Sequence, residues 1–244
     1  MNQLSLTLSP SEYGAAANIA LDEALLESAE AGDQTQEVLR LWHPTEATVV
    51  IGRSSPIRDE VNLEYCAAHE IPVFRRSSGG ASIVTAPGCL MYAVLLSYRK
   101  RPQLRMLEQA HQFVMTKMQD ALNSLNIETK FLGTCDLTID DKKVSGNALR
   151  CKKNWMIYHG TMICESMDLQ LVSNCLGQPK RQPEYRAGRS HADFLCQIPT
   201  STSYLADAIA KTWKTVEETK EWPKELTERL VETKYTTEAW NYKL

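Results

Sequence analysis

Three short stretches of the chain carry the side chains best suited to binding or activating a ligand. The first, Arg75-Arg76-Ser77-Ser78-Gly79-Gly80-Ala81, follows the apolar run Ile71-Pro72-Val73-Phe74. Glycines let backbone approach a bound group closely, and arginines supply forked donors for a carboxylate or a phosphate. Ser-Ser-Gly-Gly is also common in polar hairpin turns. This stretch alone therefore allows an anion site or an ordinary turn.

The other two stretches are Lys143-Val144-Ser145-Gly146-Asn147-Ala148 and His159-Gly160-Thr161. The small residues after Lys143 leave space for its ammonium group to reach a ligand. The alternative interpretation is that Lys143 is an ordinary surface lysine in a hairpin. His159 alternates with apolar residues of the stretch 155–163, so we expect its side chain to point inward. An inward histidine serves either the core or the chemistry.

Periodicity along the chain predicts the elements that position these stretches. Apolar residues at three- and four-residue steps predict helices at 15–30, 60–70, 104–125, 167–176, 203–216 and 224–234. Runs rich in β-branched and aromatic residues predict strands at 38–42, 47–52, 71–76, 82–84, 90–97, 128–131, 137–139, around Val144 and at 155–163. The basic stretch 179–191, interrupted by prolines, is typical of a loop that becomes ordered on binding.

Composition narrows the class of protein. The 244 residues carry a net charge of -3 and are 43% apolar, which favours a globular chain and argues against an electrostatic nucleic-acid partner. No apolar run approaches the roughly 20 residues that span a bilayer, and the N-terminus lacks signal-peptide features, so we expect a cytoplasmic protein without a membrane partner. The seven cysteines lack a Cys-x-x-Cys pair, and the histidines lack metal-ligand spacing. We expect reduced thiols, no structural zinc, and one domain over 1–244 with a short helical extension from about 201.

Taken together, the stretches resemble the motifs of the lipoate-protein ligase A family. Residues 75–81 are similar to its arginine, serine and glycine signature. Residues 133–137, 143–148 and 159–161 are similar to its second and third motifs in the same order, and 18–26 resembles its opening helix. The resemblance covers roughly residues 12–200, and several ordered motifs are more specific than any one alone.

This resemblance implies an α/β (α+β) catalytic domain shared with biotin-protein ligases, with a mixed, largely antiparallel sheet flanked by helices. It implies attachment of lipoate or octanoate to a lysine of a lipoyl-domain protein, with ATP and Mg. Lys143 would be catalytic and would bridge the acyl carboxylate and the phosphate, and Asp136 would hold the nucleotide or its magnesium. The residues implied to line the acyl-adenylate site are Arg75, Arg76, Ser78, Gly79, Gly80, Ala81, Ser145, Gly146, Asn147, Ala148, His159 and Gly160.

Chemistry agrees with the implied roles. Joining a carboxylate to an amine at neutral pH requires activation, and an ammonium such as that of Lys143 can neutralise the charge that develops on the α-phosphate. Each methylene of a bound acyl tail contributes about 0.8 kcal/mol when it is buried. We expect Val49, Ile51 and Tyr92 to receive that tail.

The sequence also departs from the ligase pattern. The third glycine is Ala81, the expected His-Asp pair is Thr85-Ala86, and the expected asparagine is Cys89. These changes bear on nucleotide and magnesium binding. They leave open a non-catalytic protein that binds an acyl group or a lipoyl domain.

A second alternative is an octanoyltransferase of the same fold, which takes octanoyl from acyl carrier protein through a cysteine thioester. Its nucleophile would be Cys135 or Cys175. The accessory C-terminal domain of many ligases is not recognisable after the last motif, so a separate accessory chain is a further candidate partner. The stretch Gln182–His191 could dock an acidic lipoyl domain or close over the adenylate.

Overall fold

The computed structural model describes residues 4–8, 14–33, 35–180, 182–219 and 221–244, with backbone alone for 4–8, 217 and 218. Within these ranges, eight strands form one sheet in the order β11-β1-β2-β6-β10-β9-β8-β7. Its pairs are antiparallel except β1 with β2 and with β11. The strands are β1 Leu4–Leu8, β2 Val38–Trp42, β6 Cys89–Ser97, β7 Lys130–Leu132, β8 Asp136–Ile139, β9 Lys142–Cys151, β10 Trp155–Ile163 and β11 Thr215–Thr219.

A smaller sheet carries the strand that leads into the first motif. Its order is β4-β3-β5, with β3 at Thr48–Ile51, β4 at Val73–Arg75 and β5 at Ile83–Thr85. Strand β3 is parallel to β4 and antiparallel to β5. The residues between β4 and β5 therefore form the loop that contains the first motif.

Helices cover both faces of the large sheet. Those in the described ranges are α1 Ala15–Ala31, α2 Ile57–Glu60, α3 Leu63–Ala68, α4 Leu107–Asn123, α5 Leu169–Cys175, α6 His191–Phe194, α7 Thr202–Trp213, α8 Lys224–Leu230 and α9 Glu238–Asn241. None of them is long and apolar enough to cross a membrane. The mixed, largely antiparallel sheet flanked by helices confirms the predicted fold class.

Alternate residues of β6 contact different helices, which defines the two faces. Ala93 and Leu95 pack in a cluster with α1, whereas Val94 and Leu96 pack in a cluster with α4 and α7. The same alternation operates on β10, where Ile157 lies in the α1 cluster and Tyr158 in the α4 cluster. His159 follows Ile157 by two residues and therefore faces α1.

The predicted elements are largely present, with three informative errors. The helix predicted at 60–70 is interrupted between α2 and α3, where Asn62 caps α3 by accepting from the Tyr65 N–H. The helix predicted at 203–216 ends at Trp213, because the following residues pair with β1 as β11. The extension predicted after 201 thus contributes a strand to the sheet as well as helices. Strand β1 was not predicted.

Candidate functional site

Arg76 folds the loop 76–81, here called the anion loop. Its guanidinium donates to the carbonyls of Val50 (3.1 Å), Gly79 (2.6 Å) and Ala81 (2.9 Å). Burial lowers the pKa of Arg76 to about 10, so the group keeps its charge at neutral pH. Gly80 has a φ of 92° and lies against the Arg76 guanidinium, which is why a glycine is needed there. The second arginine of the motif therefore shapes the loop from within.

Arg75 was predicted to line the site, and this prediction is corrected by the structure. Consecutive residues of a strand point to opposite sides, so Arg75 turns away from the anion loop. It donates to the carbonyls of Gly52 (2.8 Å) and Ser55 (2.8 Å) and to those of Trp240 (3.1 Å) and Asn241 (3.0 Å). Fully buried and saturated by carbonyls, it holds the C-terminal helix α9 against β4.

Lys143 lies on β9 with its ammonium 2.8 Å from Asp136 on β8. The other Asp136 oxygen accepts from the Tyr185 hydroxyl at 2.8 Å. A Cβ at Gly146 would lie 2.9 Å from Lys143 Cε and 3.0 Å from its Nζ, so the glycine makes the space that the lysine head occupies. Burial, with Asp136 next, raises the pKa of Tyr185 and keeps its hydroxyl a donor. Asp136 thus lies beside Lys143, and its expected role towards the nucleotide or magnesium stays a prediction.

Asn147 braces the wall between β8, β9 and β10. Its side chain donates to the Cys135 carbonyl (2.6 Å) and to Ser145 Oγ (3.0 Å), and it accepts from the Tyr92 hydroxyl. A Cβ at Gly160 would lie 1.8 Å from Asn147 Oδ1, so only glycine allows this arrangement. Ser145, Asn147 and Gly160 therefore act together in shaping the wall.

His159 joins the anion loop to α1. Its Nε2 lies 2.6 Å from Ser78 Oγ, and its Nδ1 lies 2.7 Å from Asp22 Oδ2. Arg40, from β2, donates to the other Asp22 oxygen at 2.7 Å and also to Asn18. Burial alone would raise the pKa of Asp22, but Arg40 and His159 outweigh it and hold that pKa below its usual value. Asp22 is therefore a carboxylate at neutral pH.

Sequence reasoning missed Asp22 and Arg40 as site residues, although a signal was present. Asp22 lies within the apolar helix stretch 19–26, and Arg40 lies within the apolar strand 38–42. Charged residues are almost never buried unless paired, so opposite charges in two apolar elements indicate a buried ion pair. Tyr185 was missed as well, and its position in an irregular loop gave no comparable signal.

Two adjoining cavities meet at Lys143. The Trp42 cavity, of about 110 Å³, is lined by Ile19, Asp22, Trp42, Val50, Arg76, Gly80, Met91, Tyr92, Asn147, Ala148, His159 and Gly160 among others. The Phe194 cavity, of about 100 Å³, is lined by Glu60, Val84, Ile163, Met167, Val172, Leu176, Pro179, Arg186, His191 and Phe194 among others. Both share Ala81, Ser82, Ile83, Lys143, Gly146 and Thr161. One ammonium group thus lies where two mainly apolar cavities join.

Two of the three residues predicted to receive the acyl tail do not line the Trp42 cavity. Tyr92 lines the Trp42 cavity as expected, but Val50 does so in place of Val49 and Ile51. Val49 and Ile51 are fully buried in a different apolar cluster. Alternation along β3 is the reason, since neighbouring residues of a strand face opposite sides.

Neither cysteine proposed as a nucleophile is activated. Burial, with Asp136 next, raises the pKa of the Cys135 thiol to about 11 despite Lys143, and the thiol donates to the Asn147 carbonyl. Burial, with Cys66 next, raises the pKa of Cys175 to about 12. A nucleophilic cysteine needs a lowered pKa, so both thiols are poor candidates for a thioester intermediate.

Of the departures from the ligase pattern, Ala81 lines both cavities, and the other three lie behind the cavity walls. Thr85, Ala86 and Cys89 are buried and are not among the residues lining either cavity. The Thr85 hydroxyl donates to the Thr48 carbonyl at 3.5 Å. Over the described part of the chain, no three His, Cys, Asp or Glu side chains form a group that could hold a metal ion.

The basic loop around 182–191 uses its cations internally. Arg186 is 4% exposed and lies 4.7 Å over the Phe194 ring, and it donates to the Arg189 carbonyl. Arg189 donates to the carbonyls of Asp141 (3.0 Å) and Tyr185 (2.8 Å). Through Arg186 and His191 the loop forms part of the Phe194 cavity wall. Docking of an acidic domain on this loop stays a prediction.

Comparison with protein families gives one family model, Lipoyl protein ligase A/B catalytic domain, which matches residues 14–218. Among curated proteins, the chain is similar to lipoate–protein ligase 1 of Staphylococcus aureus, with 29% identity over 238 residues. That match covers 92% of this chain and 69% of the relative. Other curated relatives, named lipoate-protein ligase A, are covered over about half of their length, from 42% to 52%.

Three solved structures share the fold. A bi-partite lipoate protein ligase of Thermoplasma acidophilum, described with its E2 lipoyl domain, has a TM-score of 0.82 and 21% identity. That match covers 99% of this chain and 97% of the T. acidophilum chain. A T. acidophilum protein with bound lipoic acid has a TM-score of 0.81 and 21% identity, covering 100% and 99%. A lipoate-protein ligase A bound with ATP has a TM-score of 0.80 and 20% identity, covering 99% and 98%.

Proposed function

Because the chain belongs to the lipoyl protein ligase A/B catalytic domain family, we propose that it is a lipoate–protein ligase. It would activate lipoate or octanoate with ATP and pass the acyl group to a lysine of a lipoyl-domain protein. One observation carries the proposal: Lys143 lies at the shared wall of two mainly apolar cavities, next to the anion loop. Such a junction suits a reaction that joins a molecule with an apolar tail to a nucleotide.

The two cavities divide the substrates between them. The Trp42 cavity, with Ile19, Val50 and Met91 in its lining, would receive the acyl tail. The Phe194 cavity would receive the adenine and ribose. The acyl carboxylate and the α-phosphate would then meet at Lys143, where both cavities share their wall.

Lys143 supplies the charge that the first step requires. In the structure its ammonium pairs with Asp136, and that pair keeps it pointing at the junction. When two anions approach each other at the junction, the ammonium lowers their repulsion and stabilises the charge that develops on the phosphate. The mixed anhydride that forms has AMP as its leaving group, and an amine of the acceptor can displace it.

Magnesium would reach this site on the phosphates of the nucleotide. Asp136 is the one acidic side chain proposed for it, and both of its oxygens already have partners, Lys143 and Tyr185. Asp136 would orient Lys143 in the first place. Asp136 would bind a metal only if Lys143 moves away from it when the anions bind.

The test measures octanoylation of a purified lipoyl domain by mass spectrometry, with ATP and octanoate, using the purified chain alone. Lys143→Ala should lower the rate at least about 100-fold, the size of effect seen when a group that stabilises developing charge is removed. The matched control is Lys142→Ala, because Lys142 is the exposed neighbour on the same strand and lines neither cavity. Equal rates for Lys143→Ala and wild type would refute the proposal.

Further arms of the same assay separate the alternatives. One arm tests the octanoyltransferase route. It supplies octanoyl carrier protein without ATP to the wild-type protein and to the variants Cys135→Ser and Cys175→Ser. The buried, protonated thiols lead us to expect no transfer in that arm and full ATP-dependent activity in both variants. Binding of octanoate without any transfer would favour the non-catalytic protein, and transfer that requires a cell extract would point to a separate accessory chain.

A further inference from the structure

A third cavity, here called the outer groove, adjoins the other two at the anion loop. Its volume is about 520 Å³, and it shares Gly80 with the Trp42 cavity and Ala81 with both cavities. Ala81 therefore lies where all three meet. The groove is also lined by Ser54 and Lys180, which are exposed. It thus leads from the meeting point of the cavities to the protein surface.

The groove is lined by two acidic side chains of α2, Asp59 and Glu60. An ammonium group already lies there, because Lys180 Nζ is 2.6 Å from Asp59 Oδ2. The Lys180 side chain is 74% exposed, and such an exposed pair is weak, so another cation can replace it. Both hydrogen bonds that Ser82 donates to Glu60 end on Oε2, which leaves Oε1 facing no donor of that residue. The groove therefore suits the ammonium group of a lysine side chain.

The surface at the rim of the groove combines cations with exposed apolar groups. It is here called the Arg53 surface and consists of Arg53, Trp240, Tyr242, Lys243 and Leu244. Tyr242 is 50% exposed and Leu244 is 56% exposed, and Lys243 Nζ lies 3.7 Å from the centre of the Trp240 ring. Arg53 directly precedes the groove-lining stretch 54–56, and the Leu244 carbonyl accepts from the first N–H of α2 at 3.3 Å. Aromatic rings and arginine are enriched at protein interfaces.

The two exposed cations of the Arg53 surface lack a carboxylate partner. None of the ion pairs within the described ranges involves Arg53 or Lys243. Partial burial lowers the pKa of Lys243, and the like charges of Arg75, Arg53 and Lys234 lower it further. Positive charge is thus concentrated here in a chain whose net charge is -3. An acidic partner would relieve this repulsion.

Arg75 holds the Arg53 surface in one arrangement. It donates to the carbonyls of Arg53 (3.3 Å) and Asn241 (3.0 Å), and the Trp240 indole donates to the Arg75 carbonyl at 2.7 Å. One buried side chain therefore joins backbone from two distant parts of the sequence. A surface that is already ordered loses less conformational entropy when a partner binds.

We propose that the Arg53 surface docks the acidic face of the acceptor lipoyl domain and that the outer groove receives its lysine, an assignment that rests on the proposed ligase function. The charges are complementary in both places, because the basic surface meets carboxylates and the acidic groove meets an ammonium group. The incoming lysine displaces Lys180 from Asp59 and reaches the cavities at Ala81. The basic loop 182–191 is less suited to docking, since Arg186 and Arg189 already donate to carbonyls of the chain.

The experiment measures transfer from preformed octanoyl-AMP to a purified lipoyl domain of net negative charge, with the full chain. Reversing both cations, in Arg53→Glu with Lys243→Glu, should raise the KM for the domain about 10-fold or more and leave kcat within about two-fold, because rim charges act mainly on encounter. The wild-type KM should rise with added NaCl, and the KM of the double variant should depend less on salt. Asp59→Lys tests the groove separately and should lower kcat/KM for the domain about 10-fold, because it places a second cation on the path of the lysine.

Hydroxylamine, a small uncharged nucleophile, reports on octanoyl-AMP without any docking. Its reaction should proceed at the wild-type rate in all these variants, as should octanoate-dependent exchange of pyrophosphate with ATP. The matched control is Arg99→Glu with Lys100→Glu, which makes the same change of charge at an exposed arginine and lysine that line none of the three cavities. Its KM for the lipoyl domain should stay near the wild-type value.

Four outcomes would overturn the docking proposal. They are an unchanged KM for the lipoyl domain in the Arg53 and Lys243 double variant, an equal rise in the control, a parallel loss of the hydroxylamine reaction, and a raised KM for ATP in the exchange assay, which would assign these cations to the nucleotide phosphates. Unchanged kcat/KM in Asp59→Lys would refute the passage of the lysine through the groove. Absence of exchange in the wild-type protein would instead refute the ligase function on which the inference rests.

Discussion

Gly146→Ala tests the placement of Lys143 with the addition of one methyl group. The new Cβ would lie 2.9 Å from Lys143 Cε and 3.0 Å from Nζ, whereas ordinary contact begins at 3.4 Å. The lysine head must therefore retreat by about half an ångström or more. A 1 Å misplacement costs about 100-fold in rate, so we expect a loss of about 10- to 100-fold.

The fold should tolerate this change. Gly146 is not in the left-handed region, and the clashing atoms are the end of a flexible side chain. Replacing glycine where the backbone is not strained stabilises a chain by about 0.4–1 kcal/mol, so thermal unfolding should not fall by more than a few degrees. The assay is octanoate-dependent pyrophosphate exchange, with Gly14→Ala as the control because its new Cβ meets only Glu46 Oε1, at 3.9 Å. A folded Gly146→Ala protein with the wild-type exchange rate would refute the reasoning.

Three further predictions concern stability. Asp22→Asn should lower the free energy of unfolding in urea by about 3 kcal/mol, because it leaves the buried Arg40 without its carboxylate, and adding Arg40→Met should restore part of the loss. Arg75→Lys should raise amide hydrogen exchange in 235–244, since it removes forked donors to Trp240 and Asn241, and unchanged exchange would contradict that role. Burial would raise the pKa of Glu23, but its hydrogen bonds, above all that from a lysine, lower it in the folded state. Glu23 therefore stabilises the protein above its unfolded pKa, this contribution is lost as pH falls through the lower folded value, and Glu23→Gln should flatten that part of the stability curve.

The local sequence pattern predicted an element correctly where the residues of that element alone determine its structure. Strand β10 lies at 155–163 as predicted, and α1 ends within one residue of its predicted end. Gly146 and Lys143 contact each other within one strand, so their relation could be inferred from spacing. Pattern failed at β11, because its pairing with β1 involves a partner about 200 residues away.

By itself, the sequence determined the class of fold and indicated the loop 76–81 and Lys143 as candidate site residues. Only the tertiary structure decided which arginine of the pair serves the loop, because the alternation of a strand sends Arg75 and Arg76 to opposite sides and sequence does not say which side is the site. The same holds for the chain from Ser78 through His159 to Asp22. Ser78 and His159 are 81 residues apart along the chain, and His159 and Asp22 are 137 residues apart. They meet only because β10 packs against α1 and Ser78 of the anion loop reaches His159.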